Sequence, residues 1–332
     1  MARKVGLFTA QFGDLPLKAV CETAARLGFD GLEVTCCSEH HFRLDQLSQA
    51  YCDEIKSLVE SHNLKILALS NHLVGQCVCD RLDERHKAIV PAYIWGDGEP
   101  EGIHQRAAEE MIKTGQAASM LGLKTVVGFT GSPIWHLLYS FPPVPPSAIE
   151  AGYEEFARRF TPILDAYQAM GIRFALEIHP TEIAFDIVSA ERALQAVNYH
   201  PAFGFNFDPS HFGYQGVDYV KFIDKFGDRI FHVHMKDVWW SDKPTEAGVF
   251  GGHTNFCDPR RYWDFRSLGR GKIQFEEIIR ALNRVHYTGP LSVEWEDGCM
   301  DRVQGAGESC RYVKQIDFVP SDIAFDSAFT DR

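Results

Sequence analysis

Residues 203–213 read FGFNFDPSHFG. The first five carry no charge and suit a strand buried on both faces, and Asp208, Pro209, Ser210 and His211 then end it with a carboxylate and an imidazole three positions apart. A doubly buried strand belongs to a parallel sheet covered by helices, because an antiparallel sheet with one wet face alternates polar and apolar residues. The same form recurs in VGLFTA (5–10), GLEVT (31–35), KILALSN (65–71), TVVGFTG (125–131), RFALEIH (173–179), IFHVHMKD (230–237) and PLSVEWED (290–297), making eight segments. Between them lie stretches with apolar residues at helical spacing, among them LPLKAVCETAARLG (15–28), RAAEEMIKTGQAASMLG (106–122), YEEFARRFTPILDAYQAMG (153–171) and FEEIIRALNRVHYTG (275–289). Each closes on a glycine, the residue that best tolerates the left-handed conformation just past a helix. Eight such repeats predict an α/β fold, a (β/α)8 TIM barrel of one domain over 1–317, followed by a C-terminal arm over 318–332. A doubly wound open sheet is the alternative, but no GxGxxG turn follows the first strand.

Composition narrows the classes of function. The 332 residues are 45% apolar, enough for a large core and unlike a disordered chain. A net charge of −12 gives no electrostatic reason to approach phosphate backbones or anionic lipid, so neither nucleic acid nor membrane is expected as a partner. The opening MARKVGLFTAQFG has no apolar core and cleavage site of a secretory signal, and a cytoplasmic protein is expected. Nine cysteines without CxxC spacing read as reduced thiols.

The last four strands are apolar along their length and ionisable at or near their ends: Glu177 and His179; Asp208 and His211; His232 and His234; Glu294, Glu296 and Asp297. In a barrel these ends converge on one mouth, where active sites of this fold lie. Carboxylates packed there repel one another, so a divalent cation among them is expected. Two Glu, one Asp and one His make an oxygen-rich set that suits Mn2+, Mg2+ or Co2+ better than a thiolate zinc site. His232 and His234 face the same way, and His234, nearer the strand end, is taken as the ligand. Glu33, near the end of the second strand, is read as holding either a sugar hydroxyl or a barrel-end arginine.

ALEIHP, FNFDPSH, FHVHMKD and SVEWED, in that order on the fifth to eighth strands, resemble the xylose-isomerase-like barrel superfamily. It contains sugar isomerases, ketose 3-epimerases, inosose and dehydroshikimate dehydratases and endonuclease IV, and the resemblance spans about residues 4–315. It implies that Glu177, Asp208, His234 and Glu294 ligate a divalent metal, Mn2+ first, with Mg2+, Co2+ or Zn2+ as alternatives. It also implies Glu177 and Glu294 as the acid/base pair, His211 against substrate or metal-bound water, and His72 of SNHLVGQ as a substrate contact. His179, Lys236, Arg266 and His253 complete the expected substrate-binding set. A homo-oligomer, dimer or tetramer, is implied as well.

The chain also departs from parts of that family. Ketose 3-epimerases carry a second glutamate after the first metal ligand and an arginine after the metal histidine; here Glu182 stands off the first position and Trp240 occupies the second. Endonuclease IV has further histidine ligands, and the acidic balance argues against DNA. The segment 238–271, with His253, Arg260, Arg261, Arg266 and Arg270, is read as a loop without structure of its own that acts as a lid or substrate-recognition element. The expected activity is metal-dependent isomerisation or epimerisation of a keto- or aldo-sugar, or its phosphate, through an enediolate. The alternatives are a lyase or hydro-lyase acting on a 3-keto-sugar or 3-keto-glycoside, and a non-catalytic sugar-binding barrel.

Overall fold

The computed structural model describes residues 2–36, 40–139, 141–323 and 327–330. Among the described residues ten strands follow in order: β1 (Val5–Phe8), β2 (Gly31–Thr35), β3 (Lys65–Ser70), β4 (Thr125–Gly128), β5 (Arg173–Glu177), β6 (Phe203–Phe207), β7 (Ile230–Met235), β8 (Asp237–Trp240), β9 (Trp263–Arg266) and β10 (Leu291–Val293). All but β8 and β9 form a closed parallel barrel in the order β1-β10-β7-β6-β5-β4-β3-β2, sealed where Val5, Gly6 and Leu7 pair with Leu291, Ser292 and Val293. The outer helices are α1 (Leu17–Leu27), α2 (Gln49–Ser61), α3 (Pro100–Met120), α4 (Pro146–Ala169), α5 (Ile187–Ala196), α6 (Tyr219–Phe226), α7 (Phe275–Arg284) and α8 (Arg302–Ile316). The architecture is therefore the single-domain (β/α)8 barrel that the eight segments predict.

Alternation along each strand sorts residues to two sides. Phe203, Phe205 and Phe207 of β6, with Phe174 of β5 and Val233 and Met235 of β7, belong to the large apolar cluster shared with the helices. Burying one such ring is worth roughly 1.5–3 kcal/mol. A separate small cluster of Ala68, Val127, Ala175 and Phe231 contains residues of β3, β4, β5 and β7. The polar strand residues Ser70, Glu177, Asn206, His232, His234 and Ser292 are buried as well.

Four expectations are corrected. Several strands stop short of their apolar segments: β10 ends at Val293, so Glu294, Glu296 and Asp297 lie on the connection beyond it. Helices α3 and α4 begin at Pro100 and Pro146, earlier than 106 and 153, because proline fits the first helical turn, where an N–H has no partner. The segment 238–271 has structure of its own: β8 and β9 pair antiparallel, Asp237 opposite Arg266 and Trp240 opposite Trp263. The all-thiol reading also fails. Cys257 of this segment forms a disulfide with Cys299 beyond β10, their Cα atoms 6.1 Å apart. They are 42 positions apart in sequence, so only the fold brings them together.

Two local features fix what stands over the barrel. Asp237 accepts backbone N–H bonds from Val238, Gly269, Gly271 and Ile273 at 2.8, 3.0, 2.9 and 3.2 Å, clamping both ends of the hairpin segment. Burial against these donors pushes its carboxyl up to about 6. Gly271 has to be glycine-small, since a Cβ there would collide with Asp237 Oδ1. Among the described residues no helix is long and apolar enough to cross a membrane.

Candidate metal centre and active site

At the C-terminal mouth of the barrel, Glu177 closes β5, Asp208 follows β6, His234 lies in β7 and Glu294 follows β10. Each offers one ligand atom, and all four atoms lie within 4.8 Å of one another. Asp208 Oδ2, Glu294 Oε2 and His234 Nδ1 are buried without a hydrogen bond. Nδ1 of His234 stands 2.9 Å from Glu294 Oε2 and 3.2 Å from Glu177 Oε2. Buried acceptors left unpaired are costly. Three carboxylates and one imidazole converging on a common point, with orphaned atoms on Asp208, Glu294 and His234, fit a divalent cation, and these residues are a candidate site for one.

The surroundings explain how so much charge is held. Burial opposes ionisation of Glu177, but His234, with hydrogen bonds from His211 and His72, keeps its carboxyl well below the usual range. For Glu294, burial and Glu177 are outweighed by Lys236 and His234, which bring it to about 2. Burial pushes Asp208 up to about 6 against the pull of His211 and Lys236. His234 is raised despite burial by Glu33, Glu294 and Glu177. Lys236 Nζ lies 2.6 Å from Glu296, 3.3 Å from Glu294 and 3.9 Å from Asp208, and is raised likewise.

A cavity of about 230 Å³ opens over the cluster, walled by Phe8, Leu73 and Phe129 and faced by His72, Glu177, His179, Lys236, Glu294 and Glu296. A larger cleft of about 550 Å³ at the opposite barrel end, lined by Arg3, Lys4 and Lys65, gathers no comparable group of candidate ligands. His72 Nε2 lies 2.9 Å from Glu177 Oε2, and its turn packs so closely on Phe129 that Gly75 has no room for a Cβ. His211 Nε2 is 3.3 Å from both Glu177 and Asp208, and its ring meets that of His179 at 4.1 Å. The hairpin reaches the site through Phe265, whose ring lies 4.3 Å from Lys236 Nζ and 5.7 Å from the His211 ring.

Two expected substrate contacts are not brought here. Arg266 is held by Asp264 at 3.7 Å and by the carbonyl of Phe265, and His253 is exposed on a short helical turn; neither lines the cavity. Both were read from loop position, and the pairing of β8 with β9 turns them elsewhere. Glu33, read as holding a sugar hydroxyl or a barrel-end arginine, is buried, 2.8 Å from His232 Nε2 and 3.0 Å from His234 Nε2. Gln11, which reaches Glu296 at 3.3 Å, lines the cavity together with Phe8, and neither gave a signal in sequence.

Residues 21–316 match the family model described as xylose isomerase-like TIM barrel. Over 333 aligned positions the chain is 27% identical to the uncharacterized protein YfiH of Bacillus subtilis, covering 94% of this chain and 98% of that one. It is 31% identical over 111 residues to inosose dehydratase of Clostridium perfringens, 33% of this chain and 36% of that one. Among solved structures, the Escherichia coli 3-keto-D-glucoside 4-epimerase YcjR superposes with a TM-score of 0.66 at 14% identity, over 94% and 99% of the two chains. An IolI protein with a bound zinc atom superposes at 0.64 and 20% identity, over 95% and 98%. At such identities the two structures speak for a shared fold.

Proposed function

We propose that this chain, which belongs to the xylose isomerase-like TIM barrel family, is a divalent-metal-dependent sugar isomerase or epimerase acting on a keto- or aldo-sugar through an enediolate. The convergence of four donor atoms within 4.8 Å, from the ends of four strands, carries this reading. Glu177, Asp208, His234 and Glu294 would hold the cation, for which the oxygen-rich set favours Mn2+. Bound there, the cation supplies Lewis acidity, polarising the carbonyl and lowering the cost of removing a proton from the neighbouring carbon.

The protein's own groups do the rest. Glu177 and Glu294 are the acid/base pair, and the bond from His72 fixes the orientation of Glu177. His179 lines the cavity beside them, where it can meet substrate hydroxyls, and His211 supports it from behind, touching both His179 and Glu177. Phe8 and Phe129 keep bulk water from the reacting carbon. The arginines of the hairpin segment are engaged away from the cavity: Arg260 with Asp258, Arg261 with the carbonyls of Gly251 and Thr254, Arg266 with Asp264, Arg270 with Glu308. Lys236, the one cationic side chain lining the cavity among the described residues, is already matched by carboxylates. This favours an unphosphorylated sugar.

A hydro-lyase acting on a 3-keto-sugar is the second reading, favoured by two observations. Glu182 is tied by backbone N–H groups of Thr130 and Gly131, each at 2.7 Å, and does not reach the cavity as a second epimerase acid. The dehydratase similarity adds to this. Incubating Mn2+-loaded protein with a panel of keto- and aldo-sugars in D2O decides between them: deuterium at the carbon beside the carbonyl with an intact sugar supports isomerisation, and an ultraviolet-absorbing unsaturated product supports elimination. Glu177→Gln or Glu294→Gln should lower turnover by about 10²–10⁴-fold with the fold intact. Full activity in both variants would refute the reading.

A further inference from the structure

We infer that Glu33 is the positioning residue of the candidate metal centre, holding His234 so that Nδ1, and not Nε2, faces the three carboxylates. This rests on the reading that Glu177, Asp208, His234 and Glu294 hold a divalent cation, and it adds the residue beneath them.

Glu33 belongs to β2, and its partners His232 and His234 belong to β7; β1 and β10 stand between those strands, so the contacts span the barrel interior. Its Oε1 and Oε2 lie 3.1 and 3.0 Å from His234 Nε2. His232 Nε2 lies 2.8 Å from Oε2 and also 2.8 Å from Ser292 Oγ on β10. A carboxylate only accepts hydrogen bonds, so the His234 nitrogen against it carries the proton. A neutral imidazole then has its lone pair on Nδ1, the atom that stands 3.2 Å from Glu177 and 2.9 Å from Glu294. The carboxylate thereby selects the ligating tautomer, fixes the ring plane and strengthens the donor. Both partners and the acid are buried, which leaves the ring no solvent-supported alternative. Glu33, His232 and His234 also lie close enough to share a cation of their own. That would need Nε2 of His234 stripped of its proton, and it predicts a second bound ion.

The test uses the full chain and Co2+ as probe, read by equilibrium dialysis and by the visible spectrum of the bound ion. Wild type is expected to bind one Co2+, Asp208→Asn to lose it, Glu33→Gln to weaken it about 10–100-fold, and Glu33→Asp to recover part of the loss. In wild type loaded with 113Cd and labelled with 15N-histidine, coupling should run through His234 Nδ1, with an exchange-protected proton on Nε2; this measurement needs no variant to fold. Coupling through Nε2, wild-type affinity in Glu33→Gln, or two bound ions overturns the inference while one intact cation site remains. Unchanged Co2+ binding in Asp208→Asn, or no stoichiometric Co2+ in wild type, defeats the underlying reading and this inference with it.

Discussion

At the scale of single residues, burial decides what an ionisable group can do. Glu182 shows this away from the cation site. Burial, with Asp80 adding to it, pushes its carboxyl up to about 8 although Thr130 and Gly131 donate N–H bonds to it. The folded state therefore keeps a proton that the unfolded chain has lost between the ordinary carboxylate range and pH 8, and stability should rise as pH falls through that window. Urea midpoints compared with Glu182→Gln should diverge by up to about 1.4 kcal/mol per pH unit, wild type gaining on acidification. Parallel pH profiles would sink the assignment. In sequence Glu182 reads only as a glutamate near an epimerase position; what holds it are main-chain groups 51 and 52 positions away, which no side-chain pattern announces.

Among the elements, strands and helices were legible because apolar spacing is local, and the hairpin was not. DVWW and WDFR are short, have 22 residues between their facing ends, and pair only where the segment closes over the mouth. The Asp237 clamp is what holds the hairpin's base, so Gly271→Ala, which drives a Cβ into that carboxylate, should loosen it by about 1–3 kcal/mol. Hydrogen exchange should then quicken at the amides of β8 and β9 while those of β4 and β5 stay protected. Unchanged exchange at the hairpin would show that the clamp does not hold it. Cys257–Cys299 ties the far part of the same segment to the loop carrying Glu296. That tie depends on where the hairpin lies, so no cysteine spacing could reveal it.

At the scale of the whole molecule, a closed barrel gathers at one mouth side chains that lie far apart in sequence.

 Asp208 follows Glu177 by 31 positions, Glu294 follows Asp208 by 86, 117 separate the outer two, and His234 falls between. A divalent ion that binds only the folded state should stabilise it by mass action. At 100 times its dissociation constant Mn2+ should add about 2.7 kcal/mol, read as a rise in the denaturation midpoint that chelator reverses and Asp208→Asn abolishes. A midpoint indifferent to Mn2+ and chelator alike would count against the cation site. The sequence by itself determined the barrel and the strand ends that bear acids, because alternation and helical spacing are written in neighbouring residues. Only the tertiary structure decided which acids meet. Glu33 went to two histidines across the barrel, Arg266 and His253 went away from the cavity, and Phe265 came in over Lys236, since which distant side chains touch depends on the barrel's closure and not on any local pattern.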